Sequence, residues 1–384
     1  MPNRSQRLAL LAVLSSSLGI GIMFGFQPPL LALLLARQGA SASTVGIVTA
    51  GGTLAVLLLG PVYPGMIRRI GLRASVLGGI ACAIAILIIM PFAPSATSWF
   101  VLRLVSGAAL GLTWIASEIW LNALSSSASR TTVMGVYGAV FAGGVALGPL
   151  LLDVTGTTGI APFIAGAGVL LISGLPLLLH RAAPGLSAGD EPARALRAYL
   201  HTSPIIMLAA MTAGLTESIV IALLPLLGLD QGLDESASLR LLVLFLAGNV
   251  LLQIPIAIVA DRHGRWRTLT LCAMVSTVGP WLLLPAIPHP VLLSVLMFVW
   301  GGTLYAFYSL GIALVGAYYT DNDLVGANTV FVMTYCFGGM LGPVLAGAAL
   351  DRFRGAGLVA VLSAGGAMLL LGSVLRYRRH AQRV

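Results

Sequence analysis

The sequence predicts an all-α integral membrane protein of twelve spans, arranged as two pseudo-symmetric six-helix bundles. Three observations lead there: an apolar composition, span-length hydrophobic segments that keep returning, and short motifs repeated about half a chain apart. Of the 384 residues, 58% are hydrophobic and 9% are charged, where a soluble domain carries about 25% charged residues. Apolar runs of about 20 residues recur from end to end. The ten-residue alternation of a transmembrane barrel is absent, so helices are expected.

Taken in order, the apolar segments fall near residues 8–36, 42–66, 72–93, 98–124, 132–153, 159–179, 204–228, 238–260, 267–288, 291–318, 325–349 and 356–375. The first follows Arg4 and Arg7 and shows no small-residue cleavage pattern, so it reads as a span and not as a removed signal peptide. The longest polar break, from Arg181 to Ser203, is rich in Pro, Ala, Gly, Arg and acidic residues. It divides the chain into an N-terminal bundle, 1–180, a cytoplasmic linker, 181–203, and a C-terminal bundle, 204–384.

All 21 basic residues are Arg, and the net charge is +9. Their placement speaks for membrane orientation and against nucleic acid. Most of them, including Arg68, Arg69, Arg73, Arg130, Arg262, Arg265 and Arg267, fall in alternate loops or the tails; only Arg37, Arg240, Arg352 and Arg354 fall in the opposite set. The positive-inside rule then puts both termini in the cytoplasm, which requires an even number of spans. Cys82, Cys272 and Cys336 sit singly in apolar runs and read as small hydrophobic residues, with no disulfide or metal site implied.

The repeat appears on comparing the halves. PLLALLLARQG from Pro29 answers PLLGLDQG from Pro225, and IRRIG ending at Gly71 answers ADRHG ending at Gly264. SGAALGL from Ser106 and GPLLLD from Gly148 have counterparts in WGGTLYA from Trp300 and GPVLAG from Gly342. Offsets of 193 to 196 residues mark two copies of one six-helix unit.

The fourth segment, WFVLRLVSGAALGLTWIASEIWLNAL from Trp99, carries two charges, Arg103 and Glu118. Each costs ~2.5 to 3.5 kcal/mol at the centre of a membrane helix on insertion scales. Arg103, Gly107, Gly111, Trp114, Glu118 and Asn122 follow at helical spacing and share one face. That face is expected to line a wet or protein-filled interior, although Gly107 and Gly111 also form the small-xxx-small pair of close helix packing.

The polar loop AIVADRHGRWR, residues 257–267, resembles the signature between the second and third helices of each half in the major facilitator superfamily, with Asp261, Arg262, Gly264 and Arg265 at its motif positions. RLVSGAALG from Arg103 is similar to the Arg-containing motif on helix four of many proton-coupled members. GGVALGP ending at Pro149 and GGMLGP ending at Pro343 resemble the Gly-Pro bends of helices five and eleven. IRRIG, WIASEIWLN and LPLLGLDQG look most like the YcaD-type branch. The resemblance implies the superfamily's fold and, as gating elements, Asp261, Arg262, Gly264, Arg265, Gly148, Pro149, Gly342 and Pro343. In the family the loop acid faces a helix N-terminus, where negative charge is favoured; in the first half Arg68 stands at that place and cannot do so.

Besides Arg103 and Glu118, the charge well inside a span is Glu217. A carboxyl at that depth can take and release a proton, which is the chemistry of a proton-coupled carrier. Gln27, Asn249, Gln253, Tyr305, Tyr308, Asn328 and Tyr335 lie at compatible depth and complete, with Trp114 and Asn122, a candidate cavity of a few polar groups in an apolar lining. Met207 and Met211 share a face and would suit Cu(I), but no HxxxM partner accompanies them. A chain without Lys has no Walker motif, and HExxH is missing, so neither enzyme nor cofactor is expected. With the resemblance, the expected function is secondary transport of a small organic solute across the bacterial inner membrane by a monomer in the bilayer, coupled to protons. Multidrug-type efflux of lipophilic cations, copper import and a non-transporting sensor are the rival expectations.

Overall fold

The computed structural model describes residues 4–125, 130–179, 196–319 and 321–381, and the secondary structure within them is helical throughout. The helices are α1 (Arg4–Arg37), α2 (Ala42–Leu59), α3 (Tyr63–Ile70), α4 (Leu72–Ile89), α5 (Ala96–Leu124), α6 (Arg130–Thr155), α7 (Ala161–Leu179), α8 (Leu196–Thr202), α9 (Pro204–Asp230), α10 (Glu235–His263), α11 (Arg265–Ala286), α12 (Pro290–Tyr318) and α13 (Asp321–Ala381). The last is two helices in sequence, joined at Arg354, whose φ of 53° and ψ of −148° are not helical. Counting its two arms, twelve long apolar helices are present among the described residues. Of the predicted linker, residues 181–195 lie outside them, and α8 occupies most of the remainder.

One predicted span is shorter than expected. Gly60 and Pro61 end α2 at Leu59, and Pro64 starts the separate helix α3 in its first turn. Proline lacks the N–H that would continue the ladder, and it disfavours a helical residue before it.

The chain forms two compact units, Met1–Gln38 with Gly51–Ala188, and Gly39–Ala50 with Gly189–Val384. Within each, the helices approach through glycine, because in lipid close van der Waals packing holds helices together. In the first unit α5 crosses α2 at Gly107, where a Cβ would lie 2.4 Å from the Gly52 carbonyl oxygen. In the second, α12 crosses α10 the same way: a Cβ on Gly301 would meet Phe245 O at 1.9 Å, and one on Gly248 would meet Phe298 O at 1.8 Å. Gly301 stands 194 residues after Gly107, so the repeat in the sequence is a repeat of contacts.

The Gly-Pro sites follow this logic. Pro149 lies inside α6 and offers no N–H to the Val145 carbonyl; that oxygen lies 1.9 Å from where a Cβ on Gly25 would be, so α1 sits directly against it. Gly148 itself faces the α1 backbone at Gly25, and Gly342, just before Pro343 in α13, faces Leu215 O of α9. The motif loops share a turn: Gly71 and Gly264 carry φ of 86° and 97°, each donating its N–H back to the helix it ends.

In the second unit the start of α2 is capped twice. Ser41 Oγ accepts from Thr44 N at 3.2 Å, while the Asp351 carboxylate, 309 residues from Ala42, accepts from Ala42 N at 2.7 Å, from Ser43 N at 2.8 Å and from the Ser43 hydroxyl. The free N–H groups of this helix end are satisfied, and negative charge is placed where the helix dipole favours it.

Gly301→Ala forces a Cβ into backbone at the α10–α12 crossing, and the overpacking is expected to cost about 1–3 kcal/mol. Gly316→Ala, in the same helix with open space around it, serves as the control. Thermal unfolding in detergent should show a lower midpoint for the first and an unchanged one for the second.

Candidate functional site

Arg103 is carried by α5, whose start is fixed by a reciprocal capping box between Ser95 and Ser98. Two turns in, the side chain is 7% exposed. The guanidinium donates to Gln27 Oε1 on α1, and Ser106 Oγ, one turn after Arg103, donates to the same oxygen at 3.0 Å. Its place exists because residue 52 has no side chain: a Cβ on Gly52 would lie 2.8 Å from the guanidinium carbon. No acid pairs with Arg103 among the described residues. Arg103 Nε and Gln27 Nε2 are both buried donors without an acceptor there. Ser106 was not singled out in the sequence; its position three residues after a buried Arg was the available signal.

The stripe expected on α5 divides among several neighbours. Gly107 packs on Gly52, and Gly111 lies against Val56 and Tyr63. Trp114 instead joins Phe24 of α1 and Phe141 of α6, with ring centroids 5.8 Å away in each case. Glu118 is half-buried, and Asn122 donates to its backbone oxygen at 3.1 Å.

In the second unit the structure gathers Glu217 and the three tyrosines. The Tyr335 hydroxyl donates to Glu217 Oε2 at 2.9 Å, bridging α13 and α9. Tyr308 of α12 meets Tyr335 edge-on at 5.2 Å and stacks with Tyr305 at 5.9 Å. Glu217 and these rings are half-buried, and no cation pairs with the carboxylate among the described residues. Asn249, Gln253 and Asn328 contribute no hydrogen bond to this cluster there. Asn249 is buried beside the α10–α12 crossing, Gln253 is half-buried one turn on, and Asn328 is half-buried on α13.

In the polar loop, Asp261 makes an exposed 3.9 Å ion pair with Arg265, one turn on, and Arg265 also donates to Ala313 O of α12 at 3.0 Å. Arg262 is exposed, and Gly264 makes the turn described above. Among the described residues, no three of His, Cys, Asp and Glu gather as a metal site would require.

A family model described as Major Facilitator Superfamily matches residues 9–241 and, in a second match, 206–384. The chain belongs to the major facilitator superfamily. Together the two matches cover nearly the whole chain, and the protein is a membrane transporter of this type. Among curated superfamily relatives, the uncharacterized MFS-type transporter YfkF of Bacillus subtilis is 24% identical over 343 residues, 88% of each chain. An uncharacterized MFS-type transporter of Enterobacter sp. is 23% identical over 97% of this chain and 96% of its own. Of solved superfamily folds, the nucleoside transporter NupG aligns over 96% of this chain and 99% of its own, with TM-score 0.79 at 14% identity. A bacterial homolog to the human lysosomal transporter Spinster aligns over 98% and 95%, with TM-score 0.72 at 13% identity. These likenesses establish the fold.

Removing the amide that faces Arg103 leaves a buried cation short of its acceptor. Gln27→Ala is expected to lower stability by about 1.5–3 kcal/mol, the worth of a hydrogen bond to a charged group. Gln27→Glu, which keeps an acceptor oxygen in place, should recover it. Chemical or thermal unfolding of the purified variants reads the difference.

Proposed function

We propose that this superfamily member moves a small organic solute across the bacterial inner membrane by alternating access, coupled to protons, as a monomer with both termini in the cytoplasm. One observation carries the reading. Glu217 sits on a membrane helix, held by a tyrosine hydroxyl and by no cation among the described residues. A bare carboxylate there is costly, and a proton removes the charge. Occupancy by a proton and occupancy by a solute that reaches the same oxygens are therefore linked. Glu118, half-buried one turn after Trp114, is a second proton or solute contact, and Arg103 with Gln27 contributes two unused donors for an anionic group.

Gating is assigned to the polar loop and the Gly-Pro sites. Asp261, Arg262, Gly264 and Arg265 act at the cytoplasmic end, and Gly148, Pro149, Gly342 and Pro343 are the points where α6 and α13 flex against α1 and α9. The motifs IRRIG, WIASEIWLN and LPLLGLDQG support placement in the YcaD-type branch.

The test uses proteoliposomes and a solute found by thermal-shift screening of the purified protein. An imposed pH gradient should drive accumulation by the wild type. Glu217→Gln should lose accumulation yet retain solute exchange at equal pH on both sides. Accumulation that survives in Glu217→Gln would exclude this residue from coupling.

A further inference from the structure

We infer that the ring cluster around Glu217 is a binding platform for a planar heteroaromatic solute bearing a ring N–H. The inference rests on the transport reading and deepens it by naming the solute class. Three pairs of aromatic positions stand 194 residues apart: Trp114 with Tyr308, Tyr137 with Phe331, and Phe141 with Tyr335. Each set forms a cluster within its own unit. In the first, Trp114 and Phe141 stack at 5.8 Å, with Tyr137 6.3 Å from Phe141. In the second, Tyr308 meets Tyr335 at 5.2 Å and Phe331 at 5.3 Å.

The two clusters also share a gradation of burial. The backing ring is covered in both, Tyr137 being 6% exposed and Phe331 0%, while the rings in front of it are half-buried. The close helix crossings described above are made by glycines, and they do not require clustered rings left partly open at matching places of both copies. A lipid-facing role does not fit the second cluster, because it contains a carboxyl. The fourth member distinguishes the copies: Phe24 stands in the first cluster, and 193 residues later the second has Glu217.

The second cluster therefore combines π faces with an acceptor. Half-buried rings clustered in this way favour a flat π system that can stack on them or meet them edge-on. Tyr335 occupies Glu217 Oε2, and Oε1 has no partner among the described residues, so the remaining demand is for a donor. A ring N–H in the plane of an aromatic solute supplies it while the faces stack.

The experiment titrates norharmane, a fluorescent planar heteroaromatic with a ring N–H, against the full-length purified protein. Decahydroquinoline, a saturated bicyclic amine of similar size, is the competitor. The wild type should bind norharmane, with decahydroquinoline a poor competitor. Tyr308→Leu, which keeps bulk without the π face, should weaken binding about tenfold or more, and Tyr308→Phe should stay within about twofold. Size-exclusion profile and thermal midpoint establish that each variant is folded. Folded wild type that fails to bind norharmane, that binds decahydroquinoline equally, or whose affinity survives in Tyr308→Leu overturns the inference. The titration needs neither gradient nor coupling, so a failure of proton-driven accumulation in Glu217→Gln is a separate result.

Discussion

A guanidinium among apolar helices has to be met by hydrogen-bond acceptors, since membrane insertion of a bare one costs at least ~2.5 kcal/mol. Arg103 is met by a single amide oxygen, that of Gln27, which Ser106 shares. Much of the first unit's geometry follows from that one acceptor. Gln27 has to face α5, so α1 is fixed in rotation. A Cβ at residue 52 would push the guanidinium away from that acceptor, so Gly52 makes its place. The same Gly52 then lets α5 and α2 approach at Gly107. Charge burial and backbone packing are thus one arrangement, and it leaves two buried donors over, Arg103 Nε and Gln27 Nε2.

The scaffold is duplicated and the chemistry is not. Gly107 and Gly301 make matching helix crossings, and Gly71 and Gly264 make matching turns. Where the first half has Arg103, however, the second has Met297, fully buried. Where the second has Glu217 beside its tyrosines, the first has Phe24 beside Trp114. One unit holds a cation with an amide and the other a carboxyl with a phenol. Divergence of this kind leaves packing intact, because glycine contacts are made by backbone, while side chains on the neighbouring faces are free to acquire different polarity.

The fold was legible because membrane helices declare themselves by composition and length, and because a duplicated unit repeats its backbone-critical residues. Gly60 and Pro61 shortened one span in a way the turn residues explain. The site was legible only in part. Arg103 and Glu217 stood out as charges inside apolar runs, but spacing on α5 suggested one continuous lining face, and the structure assigns Gly107 and Gly111 to packing and Trp114 to an aromatic cluster. Partners distant in the chain left no local trace: Gln27 lies 76 residues before Arg103, and Tyr335 lies 118 after Glu217. Asp351 was not singled out, because nothing near it in sequence indicates that its carboxylate caps α2.

The central claim is that a carboxyl inside this membrane protein is kept for protons and solute rather than for packing. Labelling with the apolar reagent dicyclohexylcarbodiimide, which attacks protonated carboxyls, followed by mass spectrometry of the Glu217 peptide, tests it most directly. The account predicts modification of Glu217 that falls as pH is raised and that a bound solute suppresses. A Glu217 that stays unreactive at every pH, or that is labelled to the same extent with and without solute, would contradict it.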